Sequence, residues 1–451
     1  MSHQEALTVI AEVDEAQVDG LKRQLGSIRE HGSAWAVVPF AKLTRLHFAQ
    51  FVVLDAARDL DGVPLPARLV LLTTVDAPMS AHLDELSTAC GEGIDAVFSH
   101  CRAYPAPADR SPATRRKYLH DRCVKSDAVH INRRGRTVEQ ILQEERLRRE
   151  INTMLDAGAV NGSPSEIRNQ IVESIRRRSD LDWALQPPAP PALSWRLRNL
   201  VHGVFYGLLA FVVGVVLLLG APLWLWILRR HEQREKPDTT AAPAAALQAL
   251  RDDEDYWAHN QFVVVGCFKP GLFRKITTRL ILAVADYATR HIYNRGTLSG
   301  LNTIHFARWA RFDGGRRMIF ASIYDGTLES YMNDFIDKAA WGVNAIFSNG
   351  DGFPPTVYMV GKGISDEKAY KRFLPTRLVH SCVWYSAYPH LTTKNIANNE
   401  AIRKGLSGSM NDQQSAEWLA RFGTGNHLPE SGRAARMIDS LPWDRICRRW
   451  N

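Results

Sequence analysis

The sequence predicts an α+β fold in which one β-α-β-β-α-β unit is written twice and the two copies close into an α+β barrel, with a membrane-binding apolar insertion between them. Three observations predict it. Leu46-His47-Phe48-Ala49, running on to Asp55, reappears as Ile304-His305-Phe306-Ala307, running on to Asp313. Residues 76–105 then match 325–354 without a gap, and 117–151 match 372–406. Between the copies, the 29 residues 200–228 contain no Lys, Arg, Asp or Glu.

Taken in order, residues 6–13 read as a strand, and 15–28 as a helix with Val18, Leu21 and Leu25 on one side. Residues 44–55 are a second strand, bounded by the turn region of Asp59, Asp61, Gly62, Pro64 and Pro66. A third strand (67–75), a helix (79–91) and a fourth strand (94–100) complete a ferredoxin-like order. In the second copy the strands fall at 262–268, 303–313, 317–324 and 344–348, and the helices at 272–293 and 328–342. Each copy continues into a helix, a short strand (124–131 or 379–386) and a second helix starting at Val138 or Thr393. A ferredoxin-like unit leaves one sheet face bare. The tether raises the effective concentration of the two bare faces for each other, which favours their pairing within one chain.

With 451 residues, 45% hydrophobic and 23% charged, the chain has room for two or three ordinary globular domains. The formal charge of +8 permits an acidic partner. Arg176, Arg177, Arg178, Arg196, Arg198, Arg229 and Arg230 flank the apolar run, so the excess reads as attraction to anionic lipid head groups. No nucleic-acid motif accompanies it. The six cysteines form no CxxC pair and none recurs at its matching position, the pattern of reduced, buried thiols. Glu5, Glu12 and Asp14 come too early for a basic-then-apolar leader.

A helix of about 20 apolar residues spans a bilayer, and the insertion exceeds that. Its basic flanks, the turn points at Gly214 and Gly220-Ala221-Pro222, and Trp195, Trp224 and Trp226 favour a monotopic hairpin over a single tilted helix. A hairpin keeps both lobes on the cytoplasmic side. The predicted organisation is a first copy (1–155), a basic and Pro-rich linker (156–199), the membrane segment (200–228), a charged low-complexity linker (229–258), a second copy (259–406) and a polar tail (407–451).

His47 and His305 share one strand position, which suits a hydrogen-bonded role in the fold of both copies, or a ligand or general base at one of them. Asn395, Asn398 and Asn399 lie at i, i+3, i+4 where the first copy has Gln140, Gln143 and Glu144; they line a polar pocket or a solvated face. Trp384, Tyr385 and Tyr388, flanked by His380 and His390, suit a planar cofactor, a lipid tail or plain core packing. Asp325-Gly326 and Asn349-Gly350-Asp351-Gly352 end strands as turns. Asp325 matches Asp76, whereas Asp351 matches Arg102 and is the more asymmetric acid. No P-loop, GxGxxG, GxSxG, HExxH or paired-Cys motif is present.

Two ferredoxin-like units in one chain, with strands ending in Asp-Gly, resemble the dye-decolourising peroxidases and their chlorite-dismutase-like relatives. That family carries a Gly-x-x-Asp-Gly signature whose Asp works beside a haem; here Ser322 stands in the leading Gly position ahead of Asp325-Gly326. The resemblance implies a haem cofactor with its metal on His305, or on His380 or His390 in the same half. It implies Asp325 as acid/base beside bound peroxide, with Asp351, the more asymmetric acid, as the other candidate for that role. Arg308 would stabilise charge, although three residues beyond His305 it should face the other side of the strand. Tyr385, Asn395 and Asn399 would line the cofactor pocket. The apolar insertion has no counterpart in that family.

The functional expectation is a membrane-associated oxidoreductase, peroxidase- or monooxygenase-like, acting on a lipophilic small molecule that enters from membrane lipid. The alternative is a non-catalytic, membrane-anchored lipid-binding or scaffold protein.

Overall fold

The computed structural model describes residues 3–30, 37–187, 192–235, 248, 254 and 257–424. Residues 188–191 of the Pro-rich linker, most of the low-complexity linker beyond 235, and the tail beyond 424 with Cys447 lie outside those residues. The first lobe runs β1 (Gln4–Glu12), α1 (Val18–Glu30), β2 (Leu46–Leu54), β3 (Arg68–Asp76), α2 (Met79–Ala89), α3 (Gly91–Phe98) and α4 (Pro112–Asp121). Its extension adds β4 (Ala128–Ile131), α5 (Val138–Asp156) and α6 (Pro164–Arg176). One long helix, α7 (Leu193–Glu232), precedes the second lobe. That lobe runs β5 (His259–Cys267), α8 (Leu272–Tyr287), β6 (Ile304–Phe312), β7 (Arg317–Asp325), α9 (Leu328–Lys338), α10 (Ala340–Phe347) and α11 (Glu367–Phe373). Its extension comprises β8 (Ser381–Ser386), α12 (Thr393–Lys404) and α13 (Asp412–Leu419).

The strands form two antiparallel four-stranded sheets, ordered β1-β3-β2-β8 and β5-β7-β6-β4. The outermost strand of each comes from the other lobe: β8 pairs with β2, and β4 with β6. The fourth strands expected at 94–100 and 344–348 are instead the helices α3 and α10. Ile94, Val97 and Phe98, and likewise Ala340, Val343 and Asn344, sit at i, i+3, i+4 and are buried together. That spacing is helical, and the run is too short for alternation to tell the two apart. The outer edge of each sheet is left with isolated bridges, Val13 to Cys101 and Phe268 to Gly350.

Each sheet covers its own helices on one face; the two other faces pack together. Ile10, Val52, Val70 and Leu72 of the first sheet share a buried cluster with Val263, Ala310, Phe312 and Ile319 of the second. No strand ladder joins the two sheets, so the expected closed barrel does not form among the described residues. A third, all-helical core joins the two extensions, with Ile151, Ile171, Ile175, Ile402 and Trp418 buried. Much of the expected linker and the start of the tail are thus folded. A Cβ on Gly405 would collide with the Trp418 indole, so the bare residue lets that ring lie against α12.

The apolar insertion is one unbroken helix and not a hairpin: α7 passes through Gly214, Gly220 and Pro222 without turning. Among the described residues, which leave out the side chains at 213 and 216–218, no helix is long and apolar enough to cross a membrane. α7 is fastened to the second lobe near both ends. At its start, His202 meets His291 at 3.0 Å and Asp286 at 3.2 Å. At its end, the Glu232 carboxylate accepts from Thr356 Oγ1 and from the N–H groups of Tyr358 and Met359, at 2.8–2.9 Å. Tyr358 and Met359 both have positive φ, 54° and 58°, so this carboxylate holds a strained pair of residues in place. Between its fastenings α7 carries exposed apolar side chains, among them Phe211 at 72% and Leu219 at 81%.

Candidate functional site

The repeated histidines occupy repeated bulges. In β2 the ladder shifts between Leu46 and Phe48, and in β6 between Ile304 and Phe306, so His47 and His305 are the extra residues. A bulge re-aims its side chain. His47 Nε2 meets Asp76 Oδ1 at 3.1 Å, and His305 Nε2 meets Asp325 Oδ1 at 2.7 Å. The second oxygen of each acid holds the start of its own extension helix. Asp76 accepts from the Val138 N–H at 2.9 Å; Asp325 accepts from the Thr393 N–H at 2.8 Å and hydroxyl at 2.7 Å. A carboxylate at a helix N-terminus is favoured by the orphan N–H groups and the helix dipole. In both lobes the His–Asp pair therefore pins helix to sheet.

The lobes differ one strand further out. Opposite Asp76 the first lobe has Gln4; opposite Asp325 the second has His259. Gln4 is used up locally: its amide nitrogen donates to the carbonyls of Arg133 and Arg136, and its oxygen accepts from the Gly135 N–H. His259 Nε2 lies 2.8 Å from Ser386 Oγ, and its ring centre is 5.0 Å from that of His305. His259, His305 and Asp325 each offer a ligand atom, all within 4.8 Å of one another. Burial, and then His305 beside it, holds the His259 imidazole well below its usual pKa, so it is neutral at pH 7.

Aromatic rings fill the space around this group. Phe48 stacks on Trp384 at 5.7 Å and 3°, and meets His259, His305, Phe306 and Tyr388 edge-on. The Tyr388 hydroxyl contacts His47 Nδ1 at 2.8 Å, and burial, followed by the charges of Asp76 and Asp325, pushes its pKa well above the ordinary 10. The remaining voids are small: about 20 Å³ beside His47 and His305, and about 10 Å³ beside Phe48 and Arg308.

The other expected site residues are dispersed. Arg308 is buried between the sheets, donating to the Leu7 carbonyl at 2.7 Å and to Thr74 Oγ1. It shares the inner face with Phe306 because the bulge at His305 resets the alternation, contrary to the expected opposite side. Asp351 lies at the other end of β5 from His259, its N–H on the Cys267 carbonyl and its carboxylate 3.5 Å from Arg377. The length of β5 alone puts some 26 Å between those ends. His380 precedes β8 at the end away from Ser386. Tyr385 faces the first lobe's core, 5.9 Å from Phe40.

Neither sequence reading of the Asn face holds. Asn395 closes a capping box with Thr392. Asn399 donates to Glu145 at 2.8 Å and Asn398 to the Arg421 carbonyl at 2.8 Å, and both are buried against neighbouring helices. Sequence reasoning brought His305, Asp325, Trp384 and Tyr388 to attention and missed His259. The signal available was Gln4 at the equivalent position of the first lobe.

A far larger cavity lies elsewhere. It measures about 490 Å³ and lies beneath α7, on the helical side of the second sheet. Trp224 and Leu228 form its outer wall, Ile281 and Ala285 of α8 and Val343 of α10 its sides, and Trp309 its floor. Its lining is almost wholly apolar. Trp309 is 5% exposed, and its indole N–H has no hydrogen-bond partner.

A haem does not fit beside His305. Ligand pockets of that class take about 300 Å³ or more. The void there holds about 20 Å³. In comparisons with family models, curated proteins and solved structures, the chain matches none.

Proposed function

We propose that this is a membrane-surface protein that holds the acyl chain of a lipid, or a molecule of similar apolar shape, in the cavity beneath α7. The observation that carries this reading is the cavity itself, about 490 Å³, partly open and lined almost wholly by apolar side chains. Such walls offer water few hydrogen-bond partners, whereas an apolar occupant gains about 25 cal/mol for each Å² that it buries against them.

The same helix supports a position at the bilayer. Its exposed middle is apolar all round, and Leu272 and Val284 of α8 extend that surface at 72% and 65% exposure. Because both ends of α7 are tied to one lobe, its outer face would enter the bilayer in plane, leaving both lobes on the side favoured by the basic flanks. A lipid tail would then reach the cavity alongside the helix. A haem-dependent oxidation is not part of this reading.

The test is lipid content and membrane binding together. Detergent-extracted protein is expected to carry about one lipid per chain by native mass spectrometry, and to float with anionic vesicles. Phe211→Arg with Leu219→Arg, both on the exposed face, should abolish flotation and leave the melting temperature unchanged. Protein free of lipid that binds none on addition, or a double variant that floats like the parent, refutes it.

A further inference from the structure

We infer that His259, His305 and Asp325 form a binding site for one divalent transition-metal ion, of the Zn²⁺ class, at the end of the space between the sheets. The site is separate from the acyl-chain cavity, which lies on the other face of the second sheet. The first lobe shows what the fold alone requires: His47, Asp76 and a helix N-terminus, with Gln4 closing the third side. The second lobe keeps those parts and puts His259 where Gln4 would be. His259 is not needed to satisfy Asp325, whose two oxygens are already held by His305 and Thr393.

The donor set suits such an ion. Two imidazoles and one carboxylate are the ligands of many zinc and non-haem iron sites, which keep a further position for water. All three side chains are buried or nearly so, and one ring nitrogen of His259 has no hydrogen-bond partner. A bound ion would give that nitrogen a partner. The ligand atoms lie within 4.8 Å of one another, and bonds of about 2.0–2.2 Å require them to draw in by roughly 1 Å.

An outer shell is also present. Ser386 Oγ meets the other ring nitrogen of His259 at 2.8 Å, and Thr393 donates twice to Asp325 Oδ2, the oxygen turned away from His305. Contacts of this type fix the orientation of metal ligands. The lobe without a third ligand has no such hydroxyl pair: Val138 supplies only a backbone N–H to Asp76.

The experiment uses the full chain in detergent, stripped with chelator and then dialysed against Zn²⁺ or Co²⁺. About one equivalent should remain by elemental analysis, and Co²⁺ should give visible absorption bands of a low-coordinate nitrogen–oxygen site. His259→Gln copies the first lobe and should fold, yet lower the affinity by more than about a hundredfold. Ser386→Ala, which leaves all three ligands in place, should weaken binding by about ten- to a hundredfold. Melting curves with and without Zn²⁺ provide the check on folding; the parent alone should shift. Retention of less than a tenth of an equivalent by the parent overturns the inference. So does equal retention by parent and His259→Gln, which would place the metal elsewhere.

Discussion

Filling the cavity separates a binding site from a packing fault. Ala285 lines it from α8, facing the wall made by Trp224 and Leu228 of α7. A chain burying about ten methylenes at roughly 0.8 kcal/mol each gains about 8 kcal/mol, which corresponds to a dissociation constant near 1 µM. The indole of Ala285→Trp would occupy the room of about four of those methylenes. The loss is then roughly 3 kcal/mol, or about two hundredfold in affinity. The assay is titration of delipidated protein with a fluorescent fatty acid, beside a thermal melt. The melting temperature of the variant without ligand should match or exceed that of the parent, since the ring replaces a void. If the variant binds within twofold of the parent, the chain does not sit there and the reasoning fails. If it melts far lower, the cavity closes in solution and has no volume to fill.

Two further predictions concern buried charge. Arg308 faces only neutral partners, and burial pushes its pKa down to about 9 from 12.5, so the folded state holds the cation about 5 kcal/mol less favourably than water does. Arg308→Met gives up two hydrogen bonds of roughly 1–3 kcal/mol each and should still stabilise by about 1–2 kcal/mol in urea titrations; a loss above 2 kcal/mol would mean that an anion accompanies the guanidinium. Burial also pushes His82 and His130 down to about 3, below the 6.5 of the unfolded chain. Such groups hold no proton in the folded state, so their contribution is intact above pH 6.5 and is lost as pH falls towards 3. At pH 5 each should cost about 2 kcal/mol, so His130→Gln should reduce the stability lost between pH 7.5 and 5 by about 2 kcal/mol; an unchanged loss would sink it.

The duplication was legible because it is a property of residue identity. Leu46 to Asp55 and Ile304 to Asp313 keep the same pattern, and both form the bulged second strand of a sheet. What was not legible depends on partners far along the chain. Residues 128–131 look like a strand of the first lobe, but their ladder lies on β6, more than 170 residues away. The hairpin expected at Gly220-Ala221-Pro222 does not form: α7 continues through all three residues as one helix, fastened to the second lobe by His202 near its start and Glu232 at its end. His259 went unnoticed because its meaning is set by register: only the β5–β7 ladder shows that it stands opposite Asp325 as Gln4 stands opposite Asp76. The Asn face misled because helical spacing says which residues share a side, not what covers that side.

The exchange of edge strands has a consequence for how the lobes can evolve and be handled. A first lobe alone would lack β8, exposing the β2 edge and the inner face that carries Val52, Val70 and Leu72. An open edge beside a bare apolar face is an aggregation template. Charges reinforce the dependence, since Arg68 of the first lobe pairs with Asp313 of the second at 2.7 Å, and Arg311 of the second with Asp127 of the first at 2.6 Å. A chain cut between residues 240 and 245 and expressed as two fragments should therefore yield a 1:1 complex, with neither fragment soluble alone. Recovery of residues 1–240 as a monodisperse species with native near-UV circular dichroism would show that the lobes are separable. In that case the interface is an accessory contact, and the difference between Gln4 and His259 would need an origin other than one lobe serving as the fixed partner of the other.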